Sequence, residues 1–408
     1  MDVVYERCCG LDIHKRKIVA CVIVPGSDGQ PSKQIRTFDT MTADLLALAD
    51  WLRAQAVRHV AMESTGVYWQ PIYNLLEDEF TLVLANARHI KAVPGRKTDV
   101  RDCEWVADLL RHGLLKASFV PRRPQRELRE LTRYRTALIR QRSDEVNRLQ
   151  KTLEGANIKL AAVASNVVGV SGRHILQELI VGTADPATLA ELAQGRLREK
   201  RSQLERALTG QFRDHQRFLV AQQLAHLDAL DGLIEEVSAE IARRLRPFGA
   251  ELERLDTIPG IARRGAEILL AELGPDLGRF GSAAQLASWA GLCPGNHESA
   301  GKRTSGKTRR GNPWLRSLLV EAAQAAGRTQ TYLGARFRRL AARKGRKKAA
   351  VAVAHAILRI VYYLLTRQTE YEDLGVAYLE NRDRQAVERR AVRRLESLGY
   401  TVTLAPAS

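Results

Sequence analysis

"VYERCCGLDIHKRKIVACVIVP", residues 4–25, decides how the first part of this chain is built. Two β-branched apolar runs, residues 4–13 and 17–25, flank a short polar turn at His14 and Lys15, which predicts an antiparallel hairpin. "KQIRTF", residues 33–38, extends it to three strands. Downstream the periodicity alternates. A helix is expected over 42–55 ("TADLLALADWLRAQ"), a strand at 59–64 ("HVAMES"), a helix near 67–78, a strand at 81–87 ("TLVLANA") and a helix over 98–113 ("TDVRDCEWVADLLRHG"). A three-stranded meander followed by alternating helices and strands is the order that a ribonuclease-H-like α/β fold requires. A generic doubly wound sheet is the alternative, and it does not usually begin with an antiparallel hairpin.

From Pro121 the texture changes. "RRPQRELRELTRYRTALIRQRSDEVNRLQKTLEGAN" carries Leu128, Leu131, Leu138, Val146, Leu149 and Leu153 at helical spacing amid dense charge, which predicts a long exposed helix. A second such run, Leu224 to Leu245, ends at Pro247. With a loop-rich region expected between them, the two form either an antiparallel coiled coil or dimer-forming stalk, or an ordinary helical bundle. A compact, mostly helical segment follows from about Leu252 to Leu340, and the tail beyond Lys348 reads as one more helix and a polar end. The organisation expected is therefore 1–120 (α/β), 121–250 (helical linker), 251–345 (a mostly α domain) and 346–408 (a helical extension).

The charge balance sets the class of partner. Lys and Arg number 64 against 46 Asp and Glu, a formal +18, so a polyanion is the expected partner, with nucleic acid ahead of a membrane surface. The longest apolar run, "AAVAVAHAILRIVYYLL", is interrupted by His355 and Arg359 and reads as a buried amphipathic helix. The N-terminus lacks the pattern of a signal peptide. The five cysteines show no CxxC spacing, so neither a zinc site nor a disulfide framework is expected and a reduced, cytoplasmic protein fits.

Four acids of the first region fall where a phosphoryl-transfer site needs them. Asp12 ends the first strand, Glu63 ends a later one, and Asp99 and Asp102 lie three apart at the start of a helix. Converging carboxylates repel one another unless cations neutralise them, so one or two Mg²⁺ ions holding phosphate oxygens are expected there. Capping or solvation is the plain alternative for any one of the four. Lys97, Arg96 and Arg101 are placed to meet a phosphate or to balance charge, and His14 lies on the face of Asp12 or on the surface of the hairpin.

Further on, "IPGIARRGAEIL" resembles a helix-hairpin-helix element, in which a Pro-Gly turn, here Pro259 and Gly260 with Arg263 and Arg264 following, offers backbone N–H groups to a phosphate. Ala262 stands where a second glycine is usual. A basic belt follows, including Lys302, Arg303, Lys307, Arg309 and Arg310, with Glu321 almost its only acid. One-sign density of this kind predicts a backbone-binding surface with steep salt dependence. Trp289 and Trp314 are expected in core packing rather than against a base. Within the belt, the loop "GNHESAGKRTSGK", residues 295–307, offers two serines, Ser299 and Ser305. A hydroxyl attacks only when activated and when cations stabilise the charge that develops, and chemistry alone leaves either serine, or a loop that merely grips phosphate.

Taken together, "GLDIHK", "MESTG", "ARHIKAVPGRKTDVRD", "IPGIARRGAEILLAELG" and "LASWAGLCPGNHESAGKRTSGKTRRGNPWLRSLLVEAA" resemble the DEDD-type transposases of the IS-one-ten family of insertion sequences, which are recombinases guided by a bridge RNA. The resemblance covers most of the chain. It implies a RuvC-like domain with acids at Asp12, Glu63, Asp99 and Asp102, a coiled-coil linker, and a smaller transposase domain whose catalytic serine falls on Ser299. It further implies Mg²⁺ at the acids, a covalent phosphoserine link to DNA, a homo-oligomer, dimer or tetramer, with acids and serine from different subunits, and a structured RNA pairing with donor and target DNA in the nucleoid. "SAG" replaces the commoner "SGG", and the C-terminal extension exceeds a minimal member. The rival functions are a RuvC-like junction resolvase in which water attacks, and a non-catalytic architectural DNA-binding protein.

Overall fold

The computed structural model describes residues 2–26, 30–64, 66–86, 102–183, 185–295, 297–299 and 302–404, and divides into two compact units, Met1–Arg123 and Pro124–Ser408. In the first unit the hairpin expected from the opening stretch is present: β1 (Cys8–Ile13) pairs antiparallel with β2 (Lys17–Pro25), which pairs antiparallel with β3 (Pro31–Asp39). After α1 (Thr42–Ala54), β4 (His59–Glu63) joins β1 in parallel. After α2 (Trp69–Leu76), β5 (Thr81–Ala85) joins β4 in parallel. The sheet order is thus β3-β2-β1-β4-β5, a mixed sheet. Residues 4–7, included in the first expected strand, stay outside it: the Val4 and Tyr5 N–H groups donate to the Arg111 oxygen at the end of a later helix instead of to a neighbouring strand.

The period-two alternation of β1 assigns its two faces. Cys9, Leu11 and Ile13 pack with Leu45, Leu48 and Leu52 of α1 and with Ile72 and Leu76 of α2. Cys8 faces the other way, onto α3 (Asp102–Arg111), with Cys103, Val106, Ala107 and Leu110. Gly10 is the contact point on that face: a Cβ there would lie 2.3 Å from the Ala107 nitrogen and 2.4 Å from the Cys103 oxygen. Only a residue without a side chain lets the helix lie this close to the strand.

The second unit is built on α4 (Arg123–Gly155), 33 residues long, and α9 (Asp214–Leu245), 32 residues long. They run antiparallel: Leu128 clusters with Ile241 and Leu245, Leu138 with Leu230 and Ile234, and Leu149 and Leu153 with Val220 and Leu224. The segment between them, expected to be loop-rich, is helical instead, with α5 (Leu160–Val163), α6 (Val170–Val181), α7 (Pro186–Glu191) and α8 (Arg201–Leu208). Its short helices are separated by turn residues that read as loop in sequence. Ile158, Leu160, Ile175, Leu176, Leu179, Leu189 and Leu204 nevertheless bury a common core against the ends of α4 and α9. Their apolar stripes are too short to show helical periodicity along the chain.

The remaining elements are α10 (Gly249–Asp256), α11 (Arg263–Leu273), α12 (Ala283–Trp289), a two-stranded ribbon of β6 (His297–Ser299) and β7 (Lys302–Ser305), α13 (Pro313–Ala326), α14 (Tyr332–Lys344), α15 (Arg346–Arg367) and α16 (Tyr378–Glu396). By length and composition α15 is apolar enough to cross a membrane, but Val353, Ala354, Ile357, Leu358 and Val361 are buried in one core with α11, α13 and α14. It is a core helix, as its interrupted apolar run predicts.

Candidate functional site

The carboxylates of the first unit are set by strand register. The parallel pairing of β1 with β4 runs from Cys8 opposite His59 to Leu11 opposite Met62, so Asp12 and Glu63 come next, side by side at the carboxyl ends of neighbouring strands. Both alternate onto the α3 face, Asp12 in step with Cys8 and Gly10, and Glu63 in step with Ala61. Asp102 is the first residue of α3, where the positive end of the helix dipole favours a carboxylate. The Gly10 contact holds this helix start beside the strand, since the Cys103 carbonyl is what a Cβ at Gly10 would strike. Asp12 and the start of α3 are also in electrostatic reach. The Cys103 thiol is held below its ordinary value by its hydrogen bond from Cys21, against burial and against the negative charges of Asp12 and Glu104.

The imidazole Nε2 of His14 lies 3.0 Å from an Asp12 carboxylate oxygen, while the backbone N–H of His14 donates to the Lys17 oxygen and closes the hairpin turn. His14 is therefore both an exposed hairpin residue and a direct neighbour of Asp12. Asp99, Lys97, Arg96 and Arg101 lie outside the described residues. Among the described residues, no three His, Cys, Asp or Glu side chains come together closely enough to hold a metal ion.

In the second unit the stretch expected as a loop is a ribbon whose register separates the two serines. Ser299 ends β6 opposite Lys302, Glu298 faces Arg303, and His297 faces Ser305 across a bulge. Ser299 thus stands beside the connection at the tip. Ser305 stands at the base, where its Oγ accepts a hydrogen bond from the Lys307 N–H at 3.1 Å. The base is pinned. Pro294 bridges to Thr308, and the Gly295 N–H donates to the Lys307 oxygen at 2.9 Å. Arg316 of α13 donates to the Gly291 oxygen at 2.9 Å and to Thr308 Oγ1 at 2.7 Å, tying both sides of the ribbon to the helix. Gly291, with φ of +71°, and Gly311 meet backbone to backbone, and a Cβ on Gly311 would sit 2.4 Å from the Gly291 nitrogen.

The same helix is anchored through its cap. Asn312 accepts from the Trp314 and Leu315 N–H groups and donates to Glu272 Oε2 at 2.6 Å. Glu272, fully buried on α11, also takes a bidentate pair of hydrogen bonds from Arg133 of α4 at 2.8 and 2.9 Å. A buried carboxylate is tolerable only with such a full set of donors. Sequence reading missed Glu272 and Asn312, and it counts Arg316 as one more cation of the basic belt, whereas its guanidinium is engaged inside the fold. Only "NPW", an N-cap followed by proline at the helix start, signalled one of them.

The Pro259–Gly260 turn joins α10 to α11. Gly260, with φ of +90°, lies against α13, where a Cβ would fall 2.2 Å from the Ala322 oxygen. Its glycine is thus already required by internal packing. Ala262 is extended and exposed as the N-cap of α11, and Arg263 and Arg264 are exposed beside it. Lys307, Arg309 and Arg310 are exposed beyond the ribbon.

Two family models match these two regions. One, described as "Transposase" and of the DEDD type, matches residues 9–158, and one described as "Transposase IS116/IS110/IS902 family" matches residues 252–338. The chain is 28% identical over 320 residues to a Pseudomonas aeruginosa protein named "Probable family 20 transposase", covering 76% of this chain and 85% of that protein. It is 26% identical over 298 residues to the "Transposase for insertion sequence element IS1111A" of Coxiella burnetii, covering 71% of this chain and 72% of that one. The first match spans the strand-end acids and the second spans the pinned serine ribbon, and the chain belongs to the IS116/IS110/IS902 family of insertion-sequence transposases.

Proposed function

We propose that this transposase cuts and rejoins DNA by phosphoryl transfer, with Ser299 as nucleophile and with Asp12, Glu63, Asp99 and Asp102 as a carboxylate set for Mg²⁺. The observation that carries this reading is the β1–β4 register, which brings Asp12 and Glu63 together on the face where α3 begins with Asp102. The strand order, an antiparallel meander running into parallel strands, supports a ribonuclease-H-like, RuvC-like unit over 1–120. The antiparallel pair of α4 and α9 supports a coiled-coil linker within 121–250, followed by a transposase domain at 251–345 and a helical extension at 346–408. The donor set is all carboxylate oxygen, which suits a hard ion, and Mg²⁺ bound there, as one ion or two, would neutralise phosphate charge and polarise the phosphorus.

In the transfer, Ser299 Oγ forms a bond to phosphorus and loses its proton, while one bridging P–O bond breaks and the freed strand end takes up a proton as a hydroxyl. The phosphoserine ester preserves the bond energy. A hydroxyl from a second strand then reverses the step, restoring a phosphodiester and the free serine. Lys97, Arg101, Lys302, Arg303, Lys307, Arg309 and Arg310, with the helix start at Pro259, Gly260 and Arg263, bind the strand through its phosphates. Contacts of that kind position DNA without reading its sequence. A structured bridge RNA therefore supplies specificity by pairing with the element ends and target, and a homo-oligomer, dimer or tetramer, supplies acids and serine together. The work is done in the cytoplasm, at the nucleoid.

The test is a denaturing gel of protein incubated with element-end DNA, guide RNA and Mg²⁺. A covalent protein–DNA adduct should form with the native chain and be absent with Ser299→Ala, which still binds DNA. An adduct that persists in Ser299→Ala would remove the serine from the mechanism, and undiminished cleavage by Asp12→Asn would remove the carboxylates.

A further inference from the structure

Trp314, expected in core packing, sits elsewhere. Its companion Trp289 does pack, tilted against Phe280 with ring centroids 5.5 Å apart and joined to the core. Trp314 is half-buried at the first turn of α13, with the guanidinium carbons of Arg133 and Arg140 5.6 and 5.4 Å from its ring centroid. It lines a hollow of about 290 Å³ between α4, α11 and α13, whose other walls include Ile139, Ile268, Leu318, Arg140 and Arg264. A second, shallower depression continues along α13. It shares Ser317 and Glu321 with the first and reaches Arg316, the residue that ties down the base of the Ser299 ribbon.

We propose that this hollow holds a single unpaired nucleotide of the strand that the ribbon engages, its base stacked on Trp314 and its phosphate met by Arg140 and Arg264. The inference rests on the reading of this chain as an enzyme acting on nucleic acid, though not on the identity of the nucleophile. Volume argues for one nucleotide, because about 290 Å³ lies at the lower edge of the roughly 300–1,000 Å³ range of small-ligand pockets. Chemistry argues for a nucleotide rather than an apolar ligand. An aromatic ring between aliphatic walls accepts any base in place of the exposed Arg140 guanidinium that lies over it, and a guanidinium so displaced is free to meet phosphate. Arg133 is already held by the buried Glu272, so it keeps Trp314 oriented, whereas Arg140 and Arg264 are exposed. Glu321, exposed on the shared wall, is placed to accept from an exocyclic amine. A paired base cannot enter, since its face is stacked within the duplex, so the hollow distinguishes unpaired from paired strands.

Binding of the full chain is measured by fluorescence anisotropy with a paired DNA duplex, with the same duplex carrying one bulged nucleotide, and with the RNA form of each. Trp314→Ala should weaken binding of the bulged probe about tenfold while changing the paired probe less than about twofold. Trp314→Phe should restore most of that loss. Arg140→Gln with Arg264→Gln should lower the salt dependence of bulged-probe binding by about two phosphate contacts. A loss larger on bulged DNA assigns the nucleotide to the DNA, and a loss larger on bulged RNA assigns it to the RNA. Equal losses on paired and bulged probes, or none on either, overturn the proposal. If Trp314→Ala melts early, Trp314→Phe and the arginine pair decide by the same criterion. Failure of the serine reading would be distinct, appearing as an adduct that survives Ser299→Ala with all of these affinities unchanged.

Discussion

The strand-end acids and the serine ribbon are the two candidate sites of this chain, and they are positioned by opposite means. Asp12 and Glu63 are held by the register of two parallel strands whose buried faces leave no freedom to slip, since a one-residue shift would turn every side chain to the other face. Ser299 lies on a ribbon of two very short strands, too small to hold itself, and its position comes from a clasp assembled by residues far apart in sequence. Rigidity is intrinsic to the first region. It is imported into the second.

That contrast is breakable by mutation. The largest effect is expected at the two serines. Ser299→Ala should lower strand transfer by a factor of about 10³ or more, while Ser305→Ala, which removes only an acceptor for the Lys307 N–H, should cost about 1 kcal/mol at most and keep activity. Strand-transfer assays beside thermal melts separate the two. Next is the clasp. Glu272→Ala leaves Arg133 and Asn312 without their shared carboxylate and should destabilise the second unit by about 3 kcal/mol, read from its denaturant midpoint, while the first unit's hydrogen exchange is unaltered.

Gly10→Ala is the corresponding probe of the sheet. A Cβ forced against the backbone of α3 should cost about 2 kcal/mol and displace Asp102 from Asp12, so Mg²⁺-dependent cleavage should fall further than stability alone accounts for. The smallest effect concerns pH. Burial, with Arg359 and Arg336 nearby, lowers the pKa of His355 below its usual 6.5. The unfolded chain therefore binds a proton that the folded chain refuses, and stability is lost as pH falls from about 6.5 through the folded value. His355→Gln should flatten that part of the stability–pH curve, as followed by thermal melting between pH 7.5 and 5.

Legibility in sequence follows the same division. The strands and helices of the first unit were readable to within a few residues because local alternation and burial coincide there. Asp12, Glu63 and Asp102 were readable because strand ends and helix starts are local features. The two long helices were readable from their repeating leucines, whereas the helical segment between them was not, because its apolar contacts are non-local and its turn residues imitate loop. The ribbon reads as loop for a related reason: glycines flank and separate its two short strands, which hold only polar and charged residues with no apolar alternation, and its base is clamped by contacts from elsewhere in the chain.

By itself the sequence determined the mixed α/β unit followed by a basic helical one, the net positive charge from which a polyanionic partner is expected, and the presence of residue types able to carry phosphoryl transfer. Each of these depends on composition or on short-range periodicity, which chain neighbours encode directly. Tertiary structure alone decided that Gly10 admits α3 beside Asp12, that Glu272 and Arg316 brace the ribbon bearing Ser299, and that Trp314 faces a hollow instead of the core. Those features join residues that are tens to well over a hundred positions apart. Nothing in the local sequence distinguishes a glutamate that will be buried among arginines from one that will meet water.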